Sequence, residues 1–267
     1  MEINMGTSAS SNGPGSGVSF DPPWLDDVEV PNQQKNDKSN EQPVLAPRAR
    51  FGNARRNMGE YVRSGDRDSA RRALGHYSKT GMGGAQNVAK RMRTSTKVAT
   101  TFFNTFRSLR EDDSFALGKE LKELQSQGAG ANQIIDAIVG HVCPMGGSID
   151  ETSCRDSGTA AISEFLVENP DADVCNLDDD QIWSLTATYL GNEVFGRVQM
   201  DIGQAFEKQD VSIEDRVIRL NDMREYIQSE IAIQMNKLRE NAGKKLDINK
   251  LLSDTIRNIF EVYEVEV

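Results

Sequence analysis

Residues 178–206, with the sequence DDDQIWSLTATYLGNEVFGRVQMDIGQAF, decide the fold class because they form one long helical pattern. Apolar side chains recur there at every fourth position, namely Leu190, Val194, Val198, Ile202 and Phe206. This spacing places them on one face of an α-helix, which we predict to begin at Asp178. Glycines at positions 191, 196 and 203 each cost about 1 kcal/mol relative to Ala inside a helix. A close helix contact or a kink would explain them.

Two more helices are predicted downstream of this stretch. Ser212 and Asp215 form a start that resembles a capping box, and Gly243 ends the helix. Its apolar face comprises Ile213, Val217, Leu220, Met223, Ile227, Ile231, Met235 and Leu238. Asp247 then caps a last helix that carries Leu251, Leu252, Ile256, Ile259 and Phe260. We expect the long late helices to pair as an antiparallel hairpin, and residues 262–267 to form a short strand or a frayed end.

The upstream half shows further helical patterns and no coherent set of strands. Asp66 is predicted to cap a helix that reaches about position 79, and the glycine-rich residues 81–84 to form a tight turn. An amphipathic helix is predicted over 86–110, with an apolar face made of Val88, Met92, Ser95, Ala99, Phe102, Phe106 and Leu109. Three more helices are predicted over 114–127, 132–142 and from Ser148 or Asp150 to Pro170. The fold class is therefore all-α, a helical bundle.

Charge is strongly separated along the chain, although the net charge is only −10. Residues 48–110 hold fifteen Lys and Arg against three acidic residues, a net charge of +12, and the other residues carry −22. Such a basic block favours contact with nucleic acid or with an acidic partner. Alternatively, it packs against the acidic surface of the chain itself. The arginines that would make these contacts are Arg55, Arg56, Arg71, Arg72, Arg91 and Arg93.

Catalytic and metal-binding patterns are weak. His141, Cys143, Cys154 and Cys175 supply four zinc-binding side chains, but their spacing lacks the CxxC knuckle of a structural site, so buried thiols are the favoured interpretation. The run 178–180 of three Asp suits a helix start better than Mg²⁺. We predict no catalytic residue, no metal and no cofactor.

The first residues have a different composition from the rest. Residues 5–17 read MGTSASSNGPGSG and offer no apolar surface to offset chain entropy, so we predict a flexible tail. Phe20 and Trp24 lie at its inner end like an anchor. We interpret the tail as an arm that presents Gly6 to another protein. The predicted organisation is a tail and linker over 1–47, a basic helical region over 48–110 and an acidic helical bundle over 111–267.

The length of the apolar stretches and the number of cysteines indicate the cellular compartment. No stretch approaches the roughly 20 apolar residues of a membrane span. Three Cys, an odd number, argue against a disulfide framework. We therefore expect no membrane contact and a reducing cytoplasm.

A family resemblance adds to this interpretation. The tail, the GMGG segment at 81–84 and the CPMGGSIDE segment at 143–151 occur in this order on an all-helical body and together resemble the QatB component of the Qat anti-phage defence system. The resemblance covers most of the chain and is weakest at 28–47. One departure is that Met1–Asn4 precede Met5, whereas the family tail starts at Met-Gly.

The resemblance implies partners and a role. The family's companions are a P-loop ATPase, a QueC-like enzyme and a TatD-like nuclease. It implies that Gly6, once residues 1–5 are removed, accepts a deazaguanine from the QueC-like enzyme. Recognition would involve Thr7, Ser8, Ala9, Ser10, Phe20 and Trp24. The alternatives are an arm that only docks through Phe20 and Trp24, and a nucleic-acid-binding adaptor that uses residues 48–110.

Overall fold

The computed structural model describes residues 49–143, 146–207, 210–241 and 247–267. These residues form eleven α-helices and one π-helical turn, with no strand among them. In chain order the elements are α1 (Gly52–Ser64), α2 (Arg67–His76), the π turn (Tyr77–Met82), α3 (Ala85–Arg91), α4 (Arg93–Glu111), α5 (Ala116–Ser126), α6 (Ala131–Val142), α7 (Ile149–Glu168), α8 (Asp179–Ile202), α9 (Gln204–Glu207), α10 (Ile213–Asn241) and α11 (Ile248–Glu264). The all-α prediction is confirmed.

Helix α8 is the centre of the body and packs against α4, α7 and α10. It begins after Asp178, whose carboxylate accepts a hydrogen bond from the Gln181 backbone N at 2.8 Å, so the predicted cap is confirmed. Apolar burial follows the predicted stripe from Leu190 to Ile202. The helix then ends at Gly203, and Phe206 is buried on the short α9.

The predicted antiparallel pairing of the late helices is confirmed. Arg239 near the end of α10 pairs with Asp180 at the start of α8 at 2.9 Å. Gln228 donates to the Asn192 side chain at 3.0 Å near the middle of both helices. A Cβ added at Gly191 would lie 2.9 Å from the Gln228 Cα, which is too close. This glycine therefore permits the close helix contact that the sequence pattern required.

The predicted helix over 86–110 divides into α3 and α4 at Met92. Met92 has φ −91° and ψ 19°, yet hydrogen bonds continue across it, from Met92 N to Val88 O at 3.0 Å and from Thr96 N to Met92 O at 2.9 Å. The whole predicted apolar face is buried. Phe102 stacks on Tyr189 of α8 with ring centroids 5.2 Å apart, which attaches α4 to the centre of the body.

Helix α11 covers α2, α3 and α4. Its N-cap Asp247 accepts from the Lys250 backbone N at 3.0 Å, as predicted. The expectation of a short strand over 262–267 is wrong, because the helix continues to Glu264 and a turn follows at residues 265–266. Arg71 pairs with Glu266 at 2.8 Å, and Ser78 donates to Glu264 at 2.5 Å. These contacts hold the end of α11 against α2 and the π turn.

The apolar face of α10 is buried over only part of its length. Met223, Ile227, Ile231 and Met235 are buried as predicted. Ile213 and Val217, at the start of the predicted apolar face, are 74% and 49% exposed. On this turn of α10 Arg216 is half-buried whereas Val217 is exposed, so neighbouring helices do not cover the apolar face there. Gly243, the predicted helix end, lies outside the described residues.

The chain divides into two units, residues 1–52 and residues 53–267. Of the first unit, the structure describes residues 49–52. The predicted boundary at 110/111 separates a region of positive net charge from one of negative net charge. It does not coincide with the division between the two units, and it stays a prediction. None of the helices in the described ranges is both long enough and apolar enough to cross a membrane.

Candidate functional site

The predicted tail site lies outside the described residues. It comprises the acceptor Gly6, the recognition residues Thr7, Ser8, Ala9 and Ser10, and the anchors Phe20 and Trp24. Their roles stay predictions. The candidate site that the structure does describe lies in the helical body, between the other two segments of the resemblance.

The GMGG segment and residues 148–151 of the CPMGGSIDE segment lie at opposite ends of α3. The π turn leads into Gly83 and Gly84, whose φ values of 78° and 112° favour glycine. The predicted turn is therefore confirmed at these two residues, whereas Gly81 and Met82 still belong to the π turn. At the far end of α3, about 10 Å along its axis, Arg91 reaches Asp150 of the second segment. Ser148 caps α7 in a capping box with Glu151, which fixes the position of Asp150 in the first turn.

Asp150 joins three helices through two arginines. Arg91 of α3 pairs with one carboxylate oxygen at 2.9 Å, and Arg197 of α8 pairs with the other at 2.7 Å. One turn along α8, Asp201 accepts a hydrogen bond from Tyr77 of the π turn at 2.9 Å. We name Tyr77, Arg91, Asp150, Arg197 and Asp201 the Asp150 network. It connects the residues that flank both glycine segments.

Electrostatics fix the protonation states of the network. Burial opposes ionisation of Asp150, but the hydrogen bonds from Arg197 and Arg91 outweigh it, and its pKa lies below the ordinary value. Burial also opposes the charge on Arg197, and Asp150 reverses this effect, so the pKa of Arg197 is raised. Burial and the neighbouring Asp201 raise the pKa of Tyr77, which therefore remains a neutral donor. Asp150 and Arg197 therefore form a stable ion pair, and Tyr77 is not poised to exchange a proton near neutral pH.

Most of the six predicted contact arginines are engaged within the chain. Arg91 belongs to the Asp150 network, Arg71 pairs with Glu266, and Arg72 pairs with Asp66 at 3.4 Å. Arg55 donates to the backbone oxygen of Asp201 at 3.0 Å. Arg56 is exposed and Arg93 is half-buried. The pairs that Arg71 and Arg91 form are those expected if the basic block packs against the acidic body.

A second buried polar cluster surrounds Glu193 of α8, which is 1% exposed. Ser95 of α4 and Ser153 of α7 donate to its carboxylate at 2.5 Å and 3.0 Å, and the Cys154 thiol lies 3.5 Å from it. Burial raises the pKa of Cys154 to about 12 and of Cys143 to about 11. Both thiols are therefore protonated near neutral pH and poorly suited to nucleophilic attack.

The four side chains considered for zinc do not come together. Cys143 and Cys154 are buried, Cys175 is half-buried, and His141 is an exposed residue whose ring meets Phe115 at 5.4 Å. Across the described part of the chain, no three His, Cys, Asp or Glu side chains are grouped so as to hold a metal ion.

The Asp178–Asp180 run has structural partners. Asp178 caps α8, Asp179 pairs with Arg110 at 2.8 Å, and Asp180 pairs with Arg239.

A cleft of about 240 Å³ lies between α8 and α10 beside Asp180, with Trp183 and Met235 in its wall. The Arg239 guanidinium lies 5.2 Å from the centroid of the Trp183 ring, so the polar and aromatic groups of this cleft already contact each other.

Sequence reasoning missed most of the Asp150 network. The signal was present in the helix that decides the fold, where Glu193 and Arg197 stand three and seven residues after Leu190, on the apolar face. A charged residue on the apolar face of a helix is expected either to pair with another group inside the protein or to belong to a functional site. Here both residues are paired inside the protein.

Comparison with known proteins supplies one match. A family model described as Qat anti-phage system associated protein QatB matches residues 83–263, about two thirds of the chain. The match begins within the GMGG segment and includes the Asp150 network except Tyr77. No curated protein and no solved structure matches the chain.

Proposed function

Because this chain belongs to the QatB family of Qat anti-phage system associated proteins, we propose that it is the non-enzymatic component whose tail is bound and modified by a partner enzyme. Membership makes the chain a component of a Qat anti-phage system. Two facts support the proposed modification of the tail. The chain belongs to this family, and its tail places Gly6 before a run of small residues.

The proposed partners are the enzymes that the family resemblance implies. A QueC-like enzyme activates a deazaguanine carboxylate with ATP and normally couples it to ammonia. A protein α-amine is the same kind of nucleophile, and its pKa of about 7.7–8.0 leaves a useful neutral fraction near pH 7. Glycine is the least hindered such amine, and the small residues at positions 7–10 can enter a narrow cleft.

The proposed step forms one amide bond. After residues 1–5 are removed, the Gly6 nitrogen attacks the activated carboxyl carbon of the deazaguanine. The carbon–nitrogen bond forms, the activating group leaves with its bonding electrons, and the amine releases a proton to solvent. The chain is thus a substrate and an effector, and the helical body binds the QueC-like enzyme or the P-loop ATPase.

Mass spectrometry of the purified complex tests this proposal. We expect the tail to begin at Gly6 and to carry a deazaguanine-sized mass when the QueC-like partner is active. Gly6→Pro should abolish the added mass, because a secondary ring amine is hindered. Gly17→Pro is the matched control within the tail and should leave the modification intact. An unmodified tail that begins at Met1, in a complex that still protects cells from phage, contradicts the proposal.

Trp24→Ala separates docking from chemistry. Trp is a typical anchor at protein interfaces, so this variant should bind the partner more weakly. At saturating partner concentration the mass added to Gly6 should still appear. Loss of the modification at saturation would assign Trp24 to the chemical step and contradict its role as a docking residue.

The TatD-like nuclease is a further proposed partner, and the cytoplasm is the proposed compartment.

The alternative function is a nucleic-acid-binding adaptor that uses residues 48–110. Because Arg55, Arg71, Arg72 and Arg91 have contacts within the chain, this alternative depends on the remaining cations of the block.

A further inference from the structure

Helices α2 to α4 contain cations but almost no acids. No Asp or Glu occurs between Asp68 and Glu111, a stretch that includes the π turn and all of α3. Carboxylates elsewhere in the chain pair with some of the cations in this stretch. Arg91 pairs with Asp150 of α7, and Arg110 pairs with Asp179 of α8 at 2.8 Å.

Three cations of α3 and α4 receive no such carboxylate. Lys90 and Lys97 are exposed and Arg93 is half-buried. Among the described residues, no carboxylate lies within 4.0 Å of their charged groups, and none of the three has a hydrogen-bonded side chain. We name these residues the cationic stripe.

The stripe lies along nearly one helix axis. Its members stand three and four residues apart, the spacing at which helical side chains are neighbours. The hydrogen bonds across Met92 keep the two helices in line, so Lys90 and Lys97 lie about 10 Å apart along the axis. The exposed face continues with Thr101 and Asn104, which are polar and uncharged.

We propose that the cationic stripe binds an acidic segment of a partner protein. Three unpaired cations over about 10 Å match three carboxylates spaced by one turn along a short acidic segment. The proposal concerns the helical body and does not depend on modification of the tail.

The charge of the whole chain favours a short acidic segment over a nucleic acid. Duplex DNA carries one charge per about 1.7 Å and would extend well beyond the stripe. The residues outside 48–110 carry −22 and would repel that extension. Single-stranded nucleic acid needs aromatic side chains for base stacking, whereas Phe102, Phe103 and Phe106 of α4 are buried.

Fluorescence anisotropy with defined polyanions tests this inference on the full chain. The probes are a labelled oligoglutamate of about eight residues, long enough for three carboxylates spaced by one turn, and a labelled DNA duplex of about 20 base pairs, at about 50 mM NaCl to limit screening. We expect the peptide to bind, and the duplex to bind about tenfold more weakly or not at all. The triple variant Lys90→Gln, Arg93→Gln, Lys97→Gln should lower the affinity for the peptide about tenfold.

A matched triple variant controls for net charge. Arg63→Gln, Arg107→Gln and Lys122→Gln also remove three charges, from exposed side chains that already pair with acids in the chain. Its affinity for the peptide should stay within about twofold of the wild type. Circular dichroism checks that both variants fold.

Three outcomes would overturn the inference. Absence of peptide binding at about 50 mM NaCl would show that the stripe is only a solvated face. A duplex affinity equal to or higher than the peptide affinity would assign the stripe to nucleic acid. An equal loss of peptide binding in both triple variants would show that net charge, and not this stripe, attracts the peptide.

Discussion

Arg91 and its neighbours Lys90 and Arg93 have similar charges but different roles in the structure. Arg91 meets Asp150 at 2.9 Å and shares that carboxylate with Arg197 of α8. Lys90 is exposed one position earlier, and Arg93 stands two positions later without a carboxylate partner in the described chain. The helix turns Arg91 towards the body and leaves the cationic stripe on the other side.

The difference shows that a charge count cannot assign a role to a basic block. A cation that faces a fixed carboxylate in a partly buried site contributes to stability. A cation that faces water contributes little to stability and is available for recognition. The predictions below test this division between the two sides of α3 and α4.

The largest expected effect comes from removing the shared carboxylate. Asp150→Ala should lower the free energy of unfolding by about 3 kcal/mol, because it leaves the buried Arg197 without its counter-charge. Urea denaturation measures the change. Asp156→Ala is the matched control, since Asp156 is an exposed acid on the same helix, and it should change stability by less than about 0.5 kcal/mol. Equal stability of the two variants would show that the network contributes nothing to folding.

A smaller effect is expected from the arginine on the rim of the network. Arg91→Ala should lower the free energy of unfolding by about 1 to 2 kcal/mol, between the values for exposed and buried ion pairs. Lys90→Ala, one position away, should stay within about 0.5 kcal/mol of the wild type. The same urea titrations compare the two variants. A larger loss for Lys90→Ala would place the stabilising face of α3 on the opposite side.

The smallest expected effect is the pH dependence of the stability that the Asp150 carboxylate contributes. The folded-state pKa of Asp150 lies below its ordinary value because Arg197 and Arg91 outweigh the effect of burial. Its carboxylate therefore contributes stability above the unfolded pKa of about 3.9 and loses it as the pH falls through the folded value.

The difference in unfolding free energy between the wild type and Asp150→Asn reports this titration. It should be constant between about pH 7 and 5 and shrink below about pH 4. Stability curves at several pH values measure it. A difference that grows as the pH falls would have the wrong sign for a depressed pKa.

The fold could be predicted in large part because helical period and caps are local signals. Asp66, Ser148, Asp178 and Asp247 each cap the helix expected of them. The break at Met92 was not predicted, because the apolar period continues through it without a Gly or Pro. The exposed start of α10 was not predicted either, because periodicity identifies an apolar face but not how far a neighbouring helix covers it.

The candidate site was less predictable because it depends on contacts between distant residues. Arg91 was identified, but only as one of six basic residues. Its partner Asp150 lies 59 residues away, and Arg197 lies a further 47 residues along the chain. Only the packing of α3, α7 and α8 brings these charges together.

The cover that α11 provides has a consequence for biosynthesis. Helices α2 to α4 bury their apolar faces partly under a helix that begins about 140 residues after α4 ends. At about 5 to 20 residues per second, a ribosome needs about 7 to 28 s to translate that interval. During this time Tyr77 of the π turn, whose ring lies 5.8 Å from that of Phe260 of α11, cannot be fully enclosed by the chain. Until α11 has been synthesised, this face of the nascent protein is therefore an exposed apolar surface that chaperones can bind.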